Sequence, residues 1–272
     1  EFRRVLFRSD GFLAPHTDLA IAVSASTGEF TTRARLMPAE RTKVVYLGAP
    51  LDEFARARSA EEIAAARADL GIAPGTTAIG TITRLMPSKG NQYLVEAAPK
   101  ILASHPDVRF FMVGEGELQA DLEQQARALN LGDRFVFSGF KRDVAAALSA
   151  FDLVVFPSLW EGTPLTVFEA LAMGKPIVAT DADGLLDVLT DRQDALIVPK
   201  ANADALAGAV VELLEHPDVA TRLGQEARKT GQHYDIAAFV RKMERLYDLL
   251  HVSSRATRRA GILKADLGFL TE

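Results

Sequence analysis

The 272 residues include no cysteine, which excludes disulfides and thiolate metal sites and leaves the compartment open. No apolar run approaches the roughly 20 residues needed to cross a bilayer. No signal peptide is evident, so the cytoplasm is the default. Positive charge is short as well: 31 basic residues stand against 36 acidic ones, for a net charge of −5. That balance gives no overall basic field for a nucleic acid. The five histidines show no metal-ligand spacing, and no internal repeat or low-complexity segment is present. What is there is 48% hydrophobic and 25% charged, the composition of a soluble globular protein with a full core. The length allows one large domain or two small ones.

The first ten residues, EFRRVLFRSD, join no periodic pattern. Glu-Phe is what a common cloning site encodes, and residues 1–10 read as a non-native leader outside the fold. Beyond them, short apolar runs alternate with helical patterns. Runs at Asp18–Ser24 and Lys43–Leu47 flank a segment, Thr27–Glu40, with room for a short helix. Residues 53–71 read as one helix ended by Gly71. Six further runs read as buried strands: Ala78–Thr83, Val108–Val113, Arg134–Ser138, Asp152–Phe156, Ile177–Thr180 and Ala195–Val198. Helices are expected between them, including one capped by Asp143, one at Asp183–Thr190, and a final pair at Asn202–Glu215 and Pro217–Lys229. Six strands alternating with helices predict an α/β fold with a doubly wound, Rossmann-like parallel six-stranded sheet. Right-handed crossovers put all the strand-to-helix loops on one rim.

The stretch PSLWEGTPLTVFEALAMGKPIVAT, Pro157–Thr180, organises the rest. It holds a turn-rich loop, Pro164 at a favoured first helical position, a helix from Leu165 to about Met173, and Gly174 just past its end. Glu161 and Glu169 lie on this unit with seven residues between them. By spacing alone, both read as ordinary solvated carboxylates. The loop's place at a strand's carboxyl end is nonetheless where open α/β sheets bind ligands, and a helix start suits an anion.

The whole stretch resembles the signature of the retaining glycosyltransferases of family 4, which have the GT-B fold. Their E-x7-E motif follows a Pro-Ser pair and precedes a Glu-Ala-x-Ala-x-Gly-x-Pro-Val run, with Ile177 here in the Val place. Thr83-Arg84-Leu85 with Lys89-Gly90 is similar to the family's Gly-Arg-Leu-x3-Lys-Gly pattern, Thr83 standing for the first Gly. The family's Gly-Gly-x-x-Glu loop is reduced to Gly184 and Asp187, and its Asn-Gly-Val-Asp turn to Gly48 and Asp52. The resemblance implies a nucleotide diphosphate sugar as donor, its base and sugar open, and no required metal or cofactor. Arg84 and Lys89 are expected at the phosphates, and Glu161 at the transferred sugar. Glu169 is expected to accept from the ribose hydroxyls. The amides of Thr163 and Leu165, beside Gly162, are expected at the helix start. Gly114, Gly116, Gly139 and Phe140 are expected along the same rim, with backbone from Gly139 to Lys141 near the base. Asp181 and Asp183 read as loop and capping residues rather than metal ligands.

On this resemblance the chain is the C-terminal half of a GT-B fold. It divides into the leader, a remnant of an N-terminal domain and linker (11–52), a nucleotide-sugar-binding domain (53–235), and a crossover helix and tail (236–272). The expected helix Ile236–Leu250 carries Phe239, Met243, Leu246, Leu249 and Leu250 on one face. The tail, with Arg255, Arg258 and Arg259, reads as a frayed terminus or a short segment docking at the inner membrane face. The expected activity is transfer of a hexosyl group, with retention, to a saccharide, lipid or small-molecule acceptor, and little turnover by this chain without the rest of its N-terminal domain. Two other readings stay open: a non-catalytic nucleotide-binding or interaction module of the same fold, and another GT-B enzyme such as a sugar-nucleotide epimerase or a phosphorylase.

Overall fold

The computed structural model describes residues 13–34, 37–251 and 270. The expected leader and nearly all of the tail lie outside the described residues. Two compact units divide the chain: Leu51–His233, and Glu1–Pro50 with Tyr234–Glu272.

In the smaller unit, β1 (Ala20–Ala22) pairs in parallel with β2 (Thr42–Val44), and α1 (Ala25–Arg33) connects them. The Ser24 hydroxyl accepts the Thr27 N–H at 3.2 Å, so α1 starts and ends earlier than the expected Thr27–Glu40 segment. A 3-10 turn, Ala39–Arg41, fills the remainder after the extended Pro38.

The larger unit opens with α2 (Asp52–Ala55) and α3 (Ala60–Asp69) where one helix is expected. Ser59 is the reason. Its hydroxyl accepts the Glu62 N–H at 3.2 Å while the Glu62 carboxylate accepts the Ser59 N–H at 2.8 Å. This capping box begins a helix at a point where alanine content suggests only continuation. There follow β3 (Thr77–Ile82), α4 (Asn91–Ser104), β4 (Val108–Val113), α5 (Gln119–Ala128), β5 (Phe135–Gly139), α6 (Val144–Ala150), β6 (Leu153–Phe156), α7 (Leu165–Met173), β7 (Ile177–Thr180), α8 (Asp183–Leu186), β8 (Leu196–Val198), α9 (Ala203–Glu215) and α10 (Pro217–Gly231). The last helix, α11 (Ile236–His251), belongs to the smaller unit, where the Ile236 N–H meets the Ala49 carbonyl at 2.9 Å. Of its expected apolar face, Leu246 is buried and Leu249 is exposed.

The six strands β3–β8 form one parallel sheet in the order β5-β4-β3-β6-β7-β8. Both faces are covered, which is why the strands read as unbroken apolar runs rather than alternating ones. One face carries Ile79, Phe110, Phe135, Val155 and Val178 against Leu94, Ile101, Leu206 and Val210 from α4 and α9. On the other, the Phe111 and Phe151 rings stack 6.3 Å apart. Phe151 lies directly over Gly80, in the middle of β3, where an added Cβ would come within 2.0 Å of the ring. No side chain fits there, so the central strand is thinned to admit the aromatic pair. Gly80→Ala is expected to cost about 2–3 kcal/mol through overpacking, read as a lower denaturant midpoint with an unchanged slope.

Candidate functional site

The sheet winds outward in two directions from one seam. The chain moves from β3 to β4 and β5 on one side, and from β6 to β7 and β8 on the other. β3 and β6 are hydrogen-bonded neighbours, Ile79 opposite Leu153 and Gly80 opposite Val154. The loops leaving their carboxyl ends therefore part and leave a crevice between them. A cleft of about 210 Å³ lies there, lined by Thr83, Arg84 and Lys89 after β3 and by Ser158, Glu161, Thr163 and Leu165 after β6. The seam thus brings together five of the residues singled out from sequence: Arg84, Lys89, Glu161, Thr163 and Leu165.

At its base the Lys89 ammonium sits 2.6 and 2.7 Å from the two Glu161 oxygens. Glu161 is only 7% exposed. Its Oε1 also accepts the Ser158 hydroxyl at 2.7 Å, and the Thr180 hydroxyl in turn donates to the Ser158 carbonyl. A buried carboxylate needs such partners, because desolvation alone would be costly. The two loops also join through backbone: the Leu159 and Trp160 N–H groups both meet the Ser88 carbonyl, at 2.8 and 3.2 Å. Gly90 makes this approach possible. Its φ is +59°, and a Cβ would fall 2.0 Å from the Pro157 carbonyl oxygen. Gly184 presses on the same loop from behind, against the Glu161 and Gly162 carbonyls. Arg84 is exposed, and among the described residues its guanidinium makes no ion pair.

Pro164 is the N-cap of α7, with φ −84° and ψ 82°, rather than its first helical residue. The Leu165 N–H meets the Thr163 carbonyl at 3.1 Å and so is already engaged. Thr166, the next residue, also lines the cleft. Glu169 lies one turn further along α7 and does not line the cleft; burial without a charged partner pushes its carboxyl up to about 7. Gly114, Gly116, Gly139, Phe140 and Gly162 also lie outside the cleft lining. Gly114 and Gly116 follow β4, Gly139 ends β5 and Phe140 follows it, all on the same rim, and the Gly114 N–H meets the Gly139 carbonyl at 2.8 Å. Asp183 is not a cap: it is the first residue of α8, which Ala182 precedes without a side-chain bond. Asp181 accepts the Lys200 N–H at 2.7 Å. Among the described residues no three His, Asp or Glu side chains converge as a metal site would require.

Sequence reasoning passed over Ser158 and Thr180 as working parts of the site. Ser158 was visible only as half of the Pro-Ser pair. Thr180 looks like the last residue of a buried strand, and nothing local marks its reach to the neighbouring loop.

A larger groove of about 1080 Å³ opens at the opposite, amino ends of β3 and β6. Its charged groups are already spent on the fold. Arg67 binds Asp152 and the Ala150 and Thr76 carbonyls, and Arg228 binds the Met173 carbonyl. Size alone does not make it the site.

A family model described as glycosyl transferases group 1 matches residues 62–230. An alpha-D-kanosaminyltransferase of Streptomyces kanamyceticus is 29% identical over 76% of this chain and 56% of its own length. A UDP-Gal:alpha-D-GlcNAc-diphosphoundecaprenol alpha-1,3-galactosyltransferase of Escherichia coli is 27% identical over 87% of this chain and 61% of its own. Among solved structures, Anabaena HepE in complex with UDP and glucose superposes with a TM-score of 0.82 at 25% identity, over 89% of this chain and 66% of that one. The chain thus spans 56–66% of the length of these three relatives.

Two expectations follow from the charges at the seam. Lys89→Met strands the Glu161 carboxylate and should destabilise the protein by about 3 kcal/mol, with Lys89→Met/Glu161→Gln recovering most of the loss in a denaturant titration. Glu169 gives a pH signature. The unfolded chain releases its proton near 4.5, whereas the folded chain keeps it to about 7. Across that window the unfolded state binds fewer protons, so stability falls as pH rises, and the loss is complete above about 7. Glu169→Gln should therefore raise Tm at pH 8 and leave it unchanged near pH 4; equal Tm differences at both pH values would contradict a partly buried, unpaired carboxylate.

Proposed function

The chain belongs to the group 1 glycosyl transferases, and on that premise we propose that Leu51–His233 binds the nucleotide diphosphate sugar donor of a retaining hexosyl transfer. The observation that carries this is the convergence of Arg84, Lys89 and Glu161 on one cleft at the point where the sheet reverses direction. Relatives named for a UDP-sugar donor, or solved with UDP, support a nucleotide sugar.

In this reading the diphosphate lies between Arg84, Lys89 and the start of α7. Arg84 offers a planar fork to phosphate oxygens and Lys89 a compact charge. The α7 N-terminus adds its partial positive charge. The donor's phosphates compete with Glu161 for Lys89, and the Glu161 oxygens so released accept from hydroxyls of the transferred sugar. Glu169 meets the ribose diol, accepting with both oxygens once it has lost the proton that it holds up to about pH 7. Gly114, Gly116 and Gly162 let backbone come near the phosphates, and Gly139 and Phe140 lie towards the base. As transfer proceeds, the sugar's C1–O bond to the diphosphate breaks and a C1–O bond to the acceptor forms on the same face. The acceptor's proton passes to the departing phosphate oxygen. Charge grows on that phosphate, and fixed cations and amides aimed at it lower the barrier without a protein nucleophile or a metal. The acceptor, a saccharide, lipid or small molecule, is held by groups outside the cleft, in the N-terminal half of the GT-B fold, of which residues 11–52 read as a remnant. The inner face of the membrane is a suitable setting if the acceptor is a lipid.

A non-catalytic binding module is the second reading. The loop Asp181–Asp187 favours it, because it replaces a Gly-Gly-x-x-Glu pattern with Asp181-Ala182-Asp183-Gly184 and a shorter acid.

Calorimetric titration of the chain with UDP and GDP tests both. At least one nucleotide should bind, and Arg84→Ala should weaken it about tenfold or more through loss of a charge-assisted phosphate contact. Heat from neither nucleotide would overturn the donor-binding reading. Binding without sugar transfer, once acceptors of each class have been tried, would favour the module.

A further inference from the structure

We propose that Glu115 and Phe140 read the base of the nucleotide and select guanine. This rests on the donor-binding reading, and the test below separates the two.

The rim has an order. Along the sheet, β5, β4, β3 and β6 are successive neighbours. Their carboxyl-end loops therefore place Phe140, Glu115, the Arg84–Lys89 pair and Glu161 in sequence. Three strand spacings cover roughly 14 Å, a span suited to an extended nucleoside diphosphate sugar. With the phosphates at Arg84 and Lys89, one end of the molecule meets Glu161 and the other reaches Glu115 and Phe140.

At that end an aromatic ring stands in the open. Phe140 is 67% exposed, although most other phenylalanines of the larger unit are buried. A base stacks on such a ring whatever its identity. Identity comes from hydrogen bonds along its edge. The Glu115 Oε1 lies 3.4 Å from the Phe140 backbone N–H, a long contact that gives way easily. Once a base displaces that contact, the Phe140 N–H can meet its edge as one donor, beside the two carboxylate oxygens as acceptors. Guanine presents the complement: the O6 acceptor, then the N1–H and N2–H donors. Uracil offers an acceptor, a donor and a second acceptor, so its O2 would face a carboxylate oxygen. Cytosine and adenine both begin with an amino donor against the Phe140 N–H.

The reader is held in place. The Lys141 ammonium pairs with Asp69 Oδ2 at 2.6 Å, anchoring the residue after Phe140. The Leu85 N–H meets the Glu115 carbonyl at 2.9 Å, tying Glu115 to the loop that carries Arg84. These contacts hold the residues that carry the edge, while the Glu115 carboxylate itself is exposed to an arriving base.

The test is a calorimetric titration of the whole chain with GDP, IDP and UDP. GDP should bind at least about tenfold more tightly than UDP, as one well-formed bidentate pair allows. IDP, which lacks the 2-amino group, should fall between them. Glu115→Gln turns the last acceptor into a donor, so it should weaken GDP and strengthen UDP, inverting the preference. Phe140→Ala should weaken both nucleotides to a similar extent. A wild-type chain that binds UDP as tightly as GDP, or a Glu115→Gln variant that shifts both in the same direction, overturns guanine selection and leaves the donor site standing. Absence of binding to all three nucleotides overturns the donor site and this proposal together.

Discussion

The reversal of winding between β3 and β6 is the constraint from which the site follows. Two neighbouring strands whose chains depart in opposite directions cannot cover the gap between their carboxyl ends. Into that gap come Lys89 and Glu161, 72 residues apart in the chain and 2.6 Å apart in space. The loops meet only because β3 and β6 pair directly, Gly80 against Val154. Gly90 then allows one loop to touch the other, and the Ser88 carbonyl collects two N–H groups across the join.

An ion pair in such a place adds little net stability, because removing both charges from water offsets most of their attraction. Its consequence is geometric and chemical. Lys89 and Glu161 hold each other at the bottom of the cleft, each satisfied; in the proposed reading, an anionic donor rich in hydroxyls engages both. Arg84 stands nearer the solvent with no competing carboxylate. Glu169, partly buried without a charged partner, keeps its proton into the neutral range.

Much of the fold was legible because parallel strands buried on both faces announce themselves as short, unbroken apolar runs. All six runs became strands of the main sheet, within one or two residues at each end. Helix α7 matched from Leu165 to Met173, since Gly174 in a left-handed conformation is a strong local stop. Reading failed where local composition masked a local cap. Ser59 splits an alanine-rich stretch into α2 and α3, and Pro164 caps α7 instead of entering it. At the site, the charged members stood out by type and spacing. Ser158 and Thr180 did not, because their work is done by hydrogen bonds to groups that only folding brings near.

The order of residues by itself determined the alternation of strands and helices, the buried character of the sheet, and the family to which the chain belongs. Each of these rests on patterns only a few to some twenty residues long, where neighbouring side chains and backbone preferences act directly. Tertiary structure alone decided which strands lie side by side, and therefore that Arg84, Lys89 and Glu161 share one cleft. It also decided that Phe151 overlies Gly80, that Glu115 stands at the Phe140 N–H, and that Glu169 is partly buried with no charged partner. Strand order costs chain entropy and is settled by long-range packing, which leaves no mark on any single stretch of sequence.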